Sequence, residues 1–465
     1  MTAIRSPTRA AWPDQRTVWR WHFYAGLFCA PFVIVLAASG SIYLFKTEIE
    51  AWLDRDVDRL VAAGPAVAGA TVAEQTAAAL AAVPGSTLKT LELPEPVAGA
   101  AARRATRVIV DRDGEASRVY VHPASLEILK TVPEQERFMR KIFRLHGELW
   151  MGDRGSMLVE LAASWTIVMI LTGLVLWWPR QARGLAGVVY PRLGGGRRIF
   201  WRDMHAVTGV WISGLALALL LSGLPWAKSW GNYFKLVRRL TGTAVTAQDW
   251  SNGGESRRGA ADAGGHAGHG GGGRRGPGRD LSPEDLAAID RVCSAVRPLG
   301  LDPPVLVAPP RKAGGDWSVK SDTANRPRRV DLTVSGDTGA IESRRDFRDK
   351  HVIDRIVAYG IAAHEGQLFG WPNQLLGLLT AMGLVLVSVS GIVMWWRRRP
   401  PGVLGAPPAP PVGPRRSFGL LAAIGALAVY LPLFGVSLAA VLLLEWLVLR
   451  RVPAIRDWLG LDLSA

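Results

Sequence analysis

The chain has 465 residues, of which 49% are hydrophobic, and a formal net charge of +16. This length allows two or three soluble domains, or a membrane bundle that carries attached modules. The distribution of apolar residues excludes a wholly soluble protein, because several uncharged stretches reach the roughly 20 residues that a helix needs to cross a bilayer. The two cysteines, Cys29 and Cys293, fall in different predicted segments and exclude a disulfide framework.

The positive charge is concentrated beside the apolar stretches. Arginines cluster within residues 5–20, 180–202 and 397–416, each cluster bordering a stretch that could cross a membrane. Basic residues close to span ends mark the cytoplasmic side. The charge therefore predicts a multi-pass inner-membrane protein with a cytoplasmic N-terminus, and membrane topology explains it without a nucleic-acid partner.

The predicted elements are two span–external domain–span units followed by a fifth hydrophobic segment. In chain order they are a cytoplasmic tail (1–18), the first span (19–46), a first periplasmic domain (47–145), the second span (146–179), a cytoplasmic loop (180–200), the third span (201–227), a second periplasmic domain (228–356), the fourth span (357–397), a loop (398–416), the fifth segment (417–449) and a tail (450–465). The fifth segment contains Pro432 and Gly435, so it is either one long tilted span or a re-entrant hairpin. The first span exceeds the length of a signal-peptide core, which favours an uncleaved anchor.

Both external segments are predicted to be small α+β domains, each a helix followed by strands. The first contains "TVAEQTAAALAAV", then the alternating runs "RVIVDRDG" and "SRVYVHPASLEILK". The second has a helix with Ser282 as N-cap and Pro283 as its first residue, followed by strands and a turn at 337–339. Residues 251–280 are glycine-rich and predict a flexible insert, whose His266 and His269 would bind transition metals only weakly.

The two halves repeat the same small motifs at the same spacing. In the first and third spans a histidine is followed by a glycine four residues later and by Ser-Gly at offsets 17 and 18: His22, Gly26, Ser39 and Gly40, then His205, Gly209, Ser222 and Gly223. In the second and fourth spans a histidine is followed by a small pair and a tryptophan pair: His146, Thr172, Gly173, Trp177 and Trp178, then His364, Ser390, Gly391, Trp395 and Trp396. Equivalent spans point the same way, which predicts two parallel repeats that form a four-helix core.

The span order, the histidines, the ending "LTGLVLWWPR" and the helix-then-strand modules resemble the PepSY-associated transmembrane proteins. The resemblance extends from about Trp19 to about Trp446. Members are often described as iron-regulated inner-membrane proteins, and some act as ferric-siderophore reductases. Some relatives carry a fused flavin- or nicotinamide-binding domain. The short cytoplasmic loops here contain no glycine-rich dinucleotide motif, so the resemblance implies an external electron donor.

Four of the eight histidines stand at span ends, where they are candidate axial ligands of b-type haem. Two imidazoles facing each other across helices are what bis-histidine ligation requires. The repeat pairs His22 with His205 near the cytoplasm and His146 with His364 near the outside, which predicts two haems. Because helices run antiparallel, Gly173 and Gly391 are predicted beside the first pair and Gly40 and Gly223 beside the second. The alternative is that these small residues serve only close helix packing.

The outer histidines, His146 and His364, precede the apolar part of their spans by many residues. A continuous helix would place His146 about 22 Å beyond Leu161. Either the helices break, at Gly152 and Gly155 and at residues 371–373, or the outer haem lies at the interface below the external domains. His351 is a possible substitute ligand for His364, and His122 is predicted to be a surface residue.

The leading hypothesis is an electron-transfer protein of the inner membrane. Electrons from quinol or a cytoplasmic reductase would pass the two haems and reduce a ferric siderophore or another iron(III) chelate. Basic residues of the external domains would attract an anionic complex: Arg103, Arg104, Arg328, Arg329, Arg344 and Arg345. The alternatives are a haem-free PepSY protein that binds peptide and regulates an envelope protease, and a transport accessory. A transporter is disfavoured because the spans are nearly free of charge except for Glu160.

Overall fold

A computed structural model describes residues 13–61, 69–94, 102–179, 184–243, 281–312, 314–407 and 418–461. The predicted insert 251–280, with His266 and His269, lies outside the described residues, as do most of the N-terminal tail and residues 408–417. The chain divides into a helical unit (Met1–Ser41, Leu145–Leu240 and Leu376–Ala465) and a sheet unit (Ile42–Arg144 and Thr241–Leu375).

The described helices and strands are as follows. The α-helices are α1 (Gln15–Tyr43), α2 (Lys46–Leu53), α3 (Arg55–Asp58), α4 (Val72–Ala82), α5 (Phe138–Glu148), α6 (Asp153–Trp177), α7 (Gly196–Gly223), α8 (Lys228–Leu240), α9 (Pro283–Val296), α10 (Val352–His364), α11 (Trp371–Arg398), α12 (Phe418–Tyr430), α13 (Pro432–Leu444) and α14 (Pro453–Leu459). The strands are β1 (Leu60–Val61), β2 (Thr87–Glu92), β3 (Ala102–Arg103), β4 (Thr106–Arg112), β5 (Glu115–Val121), β6 (Ile128–Pro133), β7 (Val305–Ala308), β8 (Trp317–Ser321), β9 (Val330–Val334) and β10 (Ile341–Asp346).

Five helices among the described residues are long and apolar enough to cross a membrane. They are Gln15–Tyr43, Asp153–Trp177, Gly196–Trp226, Trp371–Arg398 and Pro432–Leu449. The prediction of a multi-pass membrane protein is thereby confirmed. Within the helical unit α1 packs antiparallel to α6, with Cys29 Sγ 3.6 Å from the Ala162 carbonyl oxygen. We call the end at which α1 and α7 begin the His22 end, and the opposite end the His146 end.

The fifth hydrophobic segment is a hairpin of two helices. Its turn lies at Leu431, before Pro432, which lacks an N–H and begins α13. The Trp230 indole, just beyond the last turn of α7, donates to the Tyr430 carbonyl at 2.9 Å, so the turn lies at the His146 end. The chain then returns, since the Leu404 amide after α11 donates to the Trp458 carbonyl at 2.9 Å. Of the two alternatives left by the sequence, the structure adopts the hairpin.

Helix α8 belongs to the helical unit, although the sequence assigned its residues to the second periplasmic domain. The reason is Glu160 of α6, a side chain that is only 2% exposed. Its Oε2 accepts the Ser229 and Trp230 amides at 2.8 and 3.1 Å. A carboxylate satisfies amides that a helix N-terminus leaves without intrahelical partners and complements its dipole. This buried acidic residue of α6 therefore anchors α8.

Replacing Glu160 with glutamine is expected to destabilise the helical unit. The amide oxygen keeps one acceptor but loses the charge, and charge-assisted hydrogen bonds contribute about 1.5–3 kcal/mol each. We expect a lower thermal midpoint in detergent, measured by tryptophan fluorescence. Glu284→Gln on the exposed first turn of α9 is the control. An unchanged midpoint in Glu160→Gln would contradict the anchoring role.

The sheet unit contains one continuous eight-stranded sheet, in the order β10-β9-β8-β7-β2-β4-β5-β6. The prediction of two separate α+β domains was wrong on this point, because β2 of the first module pairs with β7 of the second, with Leu91 opposite Val307. Neither strand was predicted. β7 spans four residues between proline pairs and shows no alternating pattern. The predicted strands that became β4, β5, β6, β8, β9 and β10 are confirmed.

Helices α4 and α9 cover one face of this sheet. Both begin at capping boxes, formed by Thr71 with Glu74 and by Ser282 with Asp285, which confirms the predicted N-cap. Their apolar sides join the strands in a single core that includes Ala79, Leu91, Ile289, Val307, Val319 and Val334, all of them fully buried. The two modules thus share a sheet and a core.

The opposite face carries a buried group of charged side chains. Side chains alternate across a strand, so Val119 and Val121 enter the core while Tyr120 faces α2 and α3. The Tyr120 hydroxyl donates to Asp54 Oδ2 at 2.8 Å, and Lys130 Nζ lies 3.3 Å from Asp54 Oδ1. Arg107 lies 2.6 Å from Asp58 and 3.5 Å from Asp54. These contacts attach the α2–α3 segment to the sheet.

Asp54 is expected to make the sheet unit sensitive to acid. Burial raises its pKa, but the Tyr120 hydrogen bond and the charges of Arg107 and Lys130 outweigh burial and hold the pKa below the ordinary value of 3.8. A lowered folded pKa gives stability that is present above the unfolded pKa and is lost as pH falls through the folded pKa. Asp54→Asn should therefore lower the thermal midpoint at pH 7, and the difference should shrink progressively as the pH falls below about 4 and through the folded pKa. Asp113→Asn, in an exposed turn, is the control and should leave the thermal midpoint at pH 7 unchanged.

Candidate haem-binding site

His22 and His205 face each other at the His22 end of the helical unit. His22 lies on α1 and His205 lies on α7. Their ring centres are 6.1 Å apart and the ring planes are nearly perpendicular, at 84°. The two residues that the sequence paired across the halves are therefore neighbours in space.

The Nδ1 atom of His22 is a hydrogen-bond donor. It lies 3.0 Å from the Met169 carbonyl oxygen and 3.1 Å from Thr172 Oγ1, both on α6. A carbonyl can only accept, and the Thr172 hydroxyl gives its own proton to the Val168 carbonyl at 2.8 Å. The proton of a neutral His22 ring must then sit on Nδ1, which leaves the lone pair on Nε2 for a metal.

His205 has the same set of partners on α11. Its Nδ1 lies 2.9 Å from the Val387 carbonyl oxygen and 3.3 Å from Ser390 Oγ. Ser390 donates its proton to the Val387 carbonyl at 3.0 Å. The same reasoning assigns the proton of His205 to Nδ1 and the lone pair to Nε2. Metal-binding histidines usually have their other nitrogen fixed in this way.

The glycine of each small pair leaves space for the imidazole. A Cβ atom on Gly173 would lie 3.1 Å from Cε1 of His22, and one on Gly391 would lie 3.3 Å from Cε1 of His205. Both distances are shorter than ordinary van der Waals contact. In each small pair the Thr or Ser hydroxyl contacts Nδ1, and the glycine that follows it leaves room for the edge of the imidazole ring. Close helix packing alone would not require this pairing with histidine.

Gly26 and Gly209 lie one turn beyond these histidines. A Cβ on Gly26 would meet Met169 Sδ at 3.6 Å, and one on Gly209 would meet Val387 at 3.9 Å. These are ordinary contacts. Each glycine nevertheless packs against the residue whose carbonyl holds the neighbouring histidine. Met169 and Val387 could not be recognised from the sequence, because each contributes a main-chain oxygen that any residue type supplies.

His146 repeats the arrangement at the His146 end. It lies near the end of α5, and the chain breaks before α6 with positive φ angles of 47° at Leu149, 56° at Trp150 and 60° at Gly152. Its Nδ1 is 3.1 Å from Ser39 Oγ, which gives its proton to the Val35 carbonyl at 2.8 Å. A Cβ on Gly40 would lie 3.1 Å from its Cε1. Because the chain breaks between α5 and α6, His146 is not carried away from the spans by one continuous helix and lies beside Ser39 and Gly40.

His364 is the last residue of α10 and belongs to the sheet unit, whereas His146, Gly40 and Gly223 belong to the helical unit. Its pairing with His146 stays a prediction.

The other described histidines have structural partners. His351 caps α10 by accepting the Ile353 amide at 3.2 Å, and His122 accepts the Ala124 and Ser125 amides at 3.2 and 3.0 Å.

The first tryptophan of each pair fixes a loop. Trp177 donates to the Val188 carbonyl at 3.0 Å, and Trp395 donates to the Leu404 carbonyl at 2.8 Å. Trp178 and Trp396 are 66% and 64% exposed, as expected of side chains in an interfacial belt. The loop contacts of Trp177 and Trp395 join residues that no local pattern in the sequence connects.

Asp203, two residues before His205, was also missed. It is fully buried and accepts Arg192 Nε at 2.8 Å and Arg202 Nη2 at 2.6 Å. The contact joins the loop after α6 to the first turns of α7. An acidic residue within an arginine cluster was the available signal.

The His22–His205 pair fits a haem iron. A metal–imidazole nitrogen bond is about 2 Å, so rings on either side of one metal have centres about 6 Å apart. A six-coordinate iron that is bound by two imidazoles needs four more donors. The four nitrogens of a porphyrin supply them. Among the described residues there is no cluster of three or more His, Cys, Asp or Glu side chains that could hold a metal ion without a porphyrin.

Comparison with known families decides the identity of the chain. The family model PepSY_TM, described as the PepSY-associated TM region, matches residues 19–398. The chain belongs to the PepSY-associated TM family. The match includes α1, α6, α7 and α11 and all four histidines at span ends, so this PepSY-associated TM protein is a membrane protein. Comparison with curated proteins finds no match.

Proposed function

We propose that this PepSY-associated TM protein is a haem-containing electron-transfer protein. In this proposal His22 and His205 ligate one b-type haem, and His146 and His364 ligate a second. The observation that carries the proposal is the His22–His205 pair, with ring centres 6.1 Å apart and both Nδ1 atoms engaged by carbonyl oxygens. The bound haem would supply a one-electron iron couple.

The chain's own residues would select and orient the cofactor. The Met169 and Val387 carbonyls fix the imidazole rings and, by accepting from Nδ1, increase the basicity of Nε2. Gly173 and Gly391 provide the space in which the rings stand. The four helices that carry these residues, α1, α6, α7 and α11, are apolar, which favours a macrocycle over water at this position.

We further propose that the two halves are parallel repeats with the His22 end in the cytoplasm. The support is that His22 and His205 share one set of contacts, a carbonyl, a hydroxyl and a glycine, on corresponding neighbouring helices. The arginine clusters at the same end support the orientation. Electrons would then move from the cytoplasmic side or from quinol toward the periplasm.

The proposed acceptor is an iron(III) complex such as a ferric siderophore, whose reduction would release iron because iron(II) binds hard oxygen donors less tightly. Three of the external arginines predicted to attract the complex are paired with carboxylates. Arg328, Arg329 and Arg344 lie within 3.0 Å of Asp302, Asp322 and Asp346, respectively. Their charges are therefore largely balanced.

A second candidate is peptide binding without haem. The edge strand β10 is exposed along most of its length. An open strand edge can add an extended peptide by main-chain hydrogen bonds. This candidate does not account for the His22–His205 geometry.

The deciding experiment is the absorption spectrum of protein purified in mild detergent from cells supplied with a haem precursor. We expect a Soret band, an α-band that sharpens on addition of dithionite, and two haems per chain by pyridine haemochrome assay. Purified, folded protein without haem would contradict the proposal and favour the peptide-binding candidate.

A further inference from the structure

A small cavity lies at the His22 end of the helical unit, between the beginning of α1, the loop after α11 and α14. Its volume is about 290 Å³. Its walls include Trp19, Arg398, Val403, Pro407, Asp457 and Trp458. Ligand pockets run from about 300 to about 1,000 Å³, so this one suits a single ring rather than a dinucleotide.

The walls are held together by specific hydrogen bonds. Arg20 donates to the Pro407 and Gly460 carbonyls at 2.6 and 2.8 Å. The Tyr24 hydroxyl donates to the Leu459 carbonyl at 2.6 Å. The chain end after α13 is therefore attached to α1 on both sides of His22. Such a preformed cavity lowers the ordering cost of binding.

The chemistry of the walls selects a flat ring that carries oxygen atoms. Trp19 and Trp458 remain 38% and 47% exposed. Because Arg398 lies over the Trp19 ring, Trp458 offers the aromatic surface for stacking. The Arg398 guanidinium stands 4.8 Å from the Trp19 ring centre and gives one bond to the Gly405 carbonyl at 3.1 Å. A guanidinium has five N–H donors, so others can serve a ring carbonyl. The Asp457 carboxylate can accept from a ring hydroxyl.

The location matches a ligand that arrives through the bilayer. Trp19 precedes His22 by three residues, about 5 Å along the helix axis. The cavity also lies at the ends of α1 and α11, both of which are long enough to span a membrane. We propose that this cavity binds the head group of a membrane quinol, the electron donor in the proposed function on which this inference rests.

The test is photolabelling of the full-length protein in detergent with an azido-substituted ubiquinone or menaquinone, followed by peptide mapping. We expect label on the peptides that contain Trp19 and Trp458, and competition by the unlabelled short-chain quinone. Trp458→Ala and Arg398→Leu should each reduce saturable labelling by about tenfold, while Trp458→Phe retains most of it. Trp446→Ala, at an exposed tryptophan outside the cavity, is the matched control.

Label that is unsaturable, or unchanged in both variants, would overturn the quinol site. So would displacement by phosphatidylglycerol but not by quinone, because it would assign the cavity to a lipid phosphate. The photolabelling measures quinone binding directly and does not require electron transfer through a haem. Specific labelling of a haem-free protein would therefore contradict the proposed function alone, and a red protein without specific labelling would contradict the quinol site alone.

Discussion

Replacing His22 with alanine is expected to remove about half of the bound haem, as one of two axial ligand pairs is lost. His205→Ala should have the same effect, because both imidazoles hold the same iron in the proposed site. The double variant should lose no more than either single one, since residues that act as a unit are strongly non-additive. The measurement is the haem-to-protein ratio together with the Soret absorbance.

His122→Ala is the matched control. His122 accepts the Ala124 and Ser125 amides and is not a candidate ligand. This variant should keep the full haem complement. If His22→Ala and His205→Ala retain it as well, while remaining folded by size-exclusion chromatography, the ligand assignment fails.

Replacing Gly173 with leucine is expected to perturb the His22/His205 haem and spare the other. Even a Cβ atom would stand 3.1 Å from Cε1 of His22, and a leucine must displace the ring. Overpacking of this kind costs about 1–3 kcal/mol, enough to shift or release an axial ligand. We expect loss of roughly half of the α-band, with the remaining haem unchanged in potential. Gly173→Ala should give a smaller shift of the same kind.

Two further glycines make this prediction specific. Gly40→Leu meets Cε1 of His146 at the same distance and should affect only the second haem. Gly214→Leu, on α7 with nothing within 4 Å of its Cβ position, should leave both haems intact. A Gly173→Leu variant that loses the haem assigned to His146, and keeps the other, would refute the assignment of glycines to ends.

Much of the candidate site could be predicted because its signals are local in the sequence. Spans depend on uninterrupted apolar length, and N-caps such as Ser282 depend on a few adjacent residues. The spacing of each histidine from a distant small pair also follows from helix geometry, because a membrane fixes both the length and the antiparallel direction of neighbouring helices. The cross-helix neighbours Gly173 and His22 could therefore be named from counting alone.

The sequence by itself thus determined the family, the membrane spans, the histidines and the small residues beside them. Only the tertiary structure decided the ring separation of His22 and His205, the anchoring of α8 by Glu160 and the union of the two modules through Leu91 and Val307. These features join residues far apart in the chain. Main-chain carbonyls such as that of Met169 leave no trace in residue type, and short strands such as β7 leave no periodic pattern. Their partners are selected by packing, and packing exists only once the chain has folded.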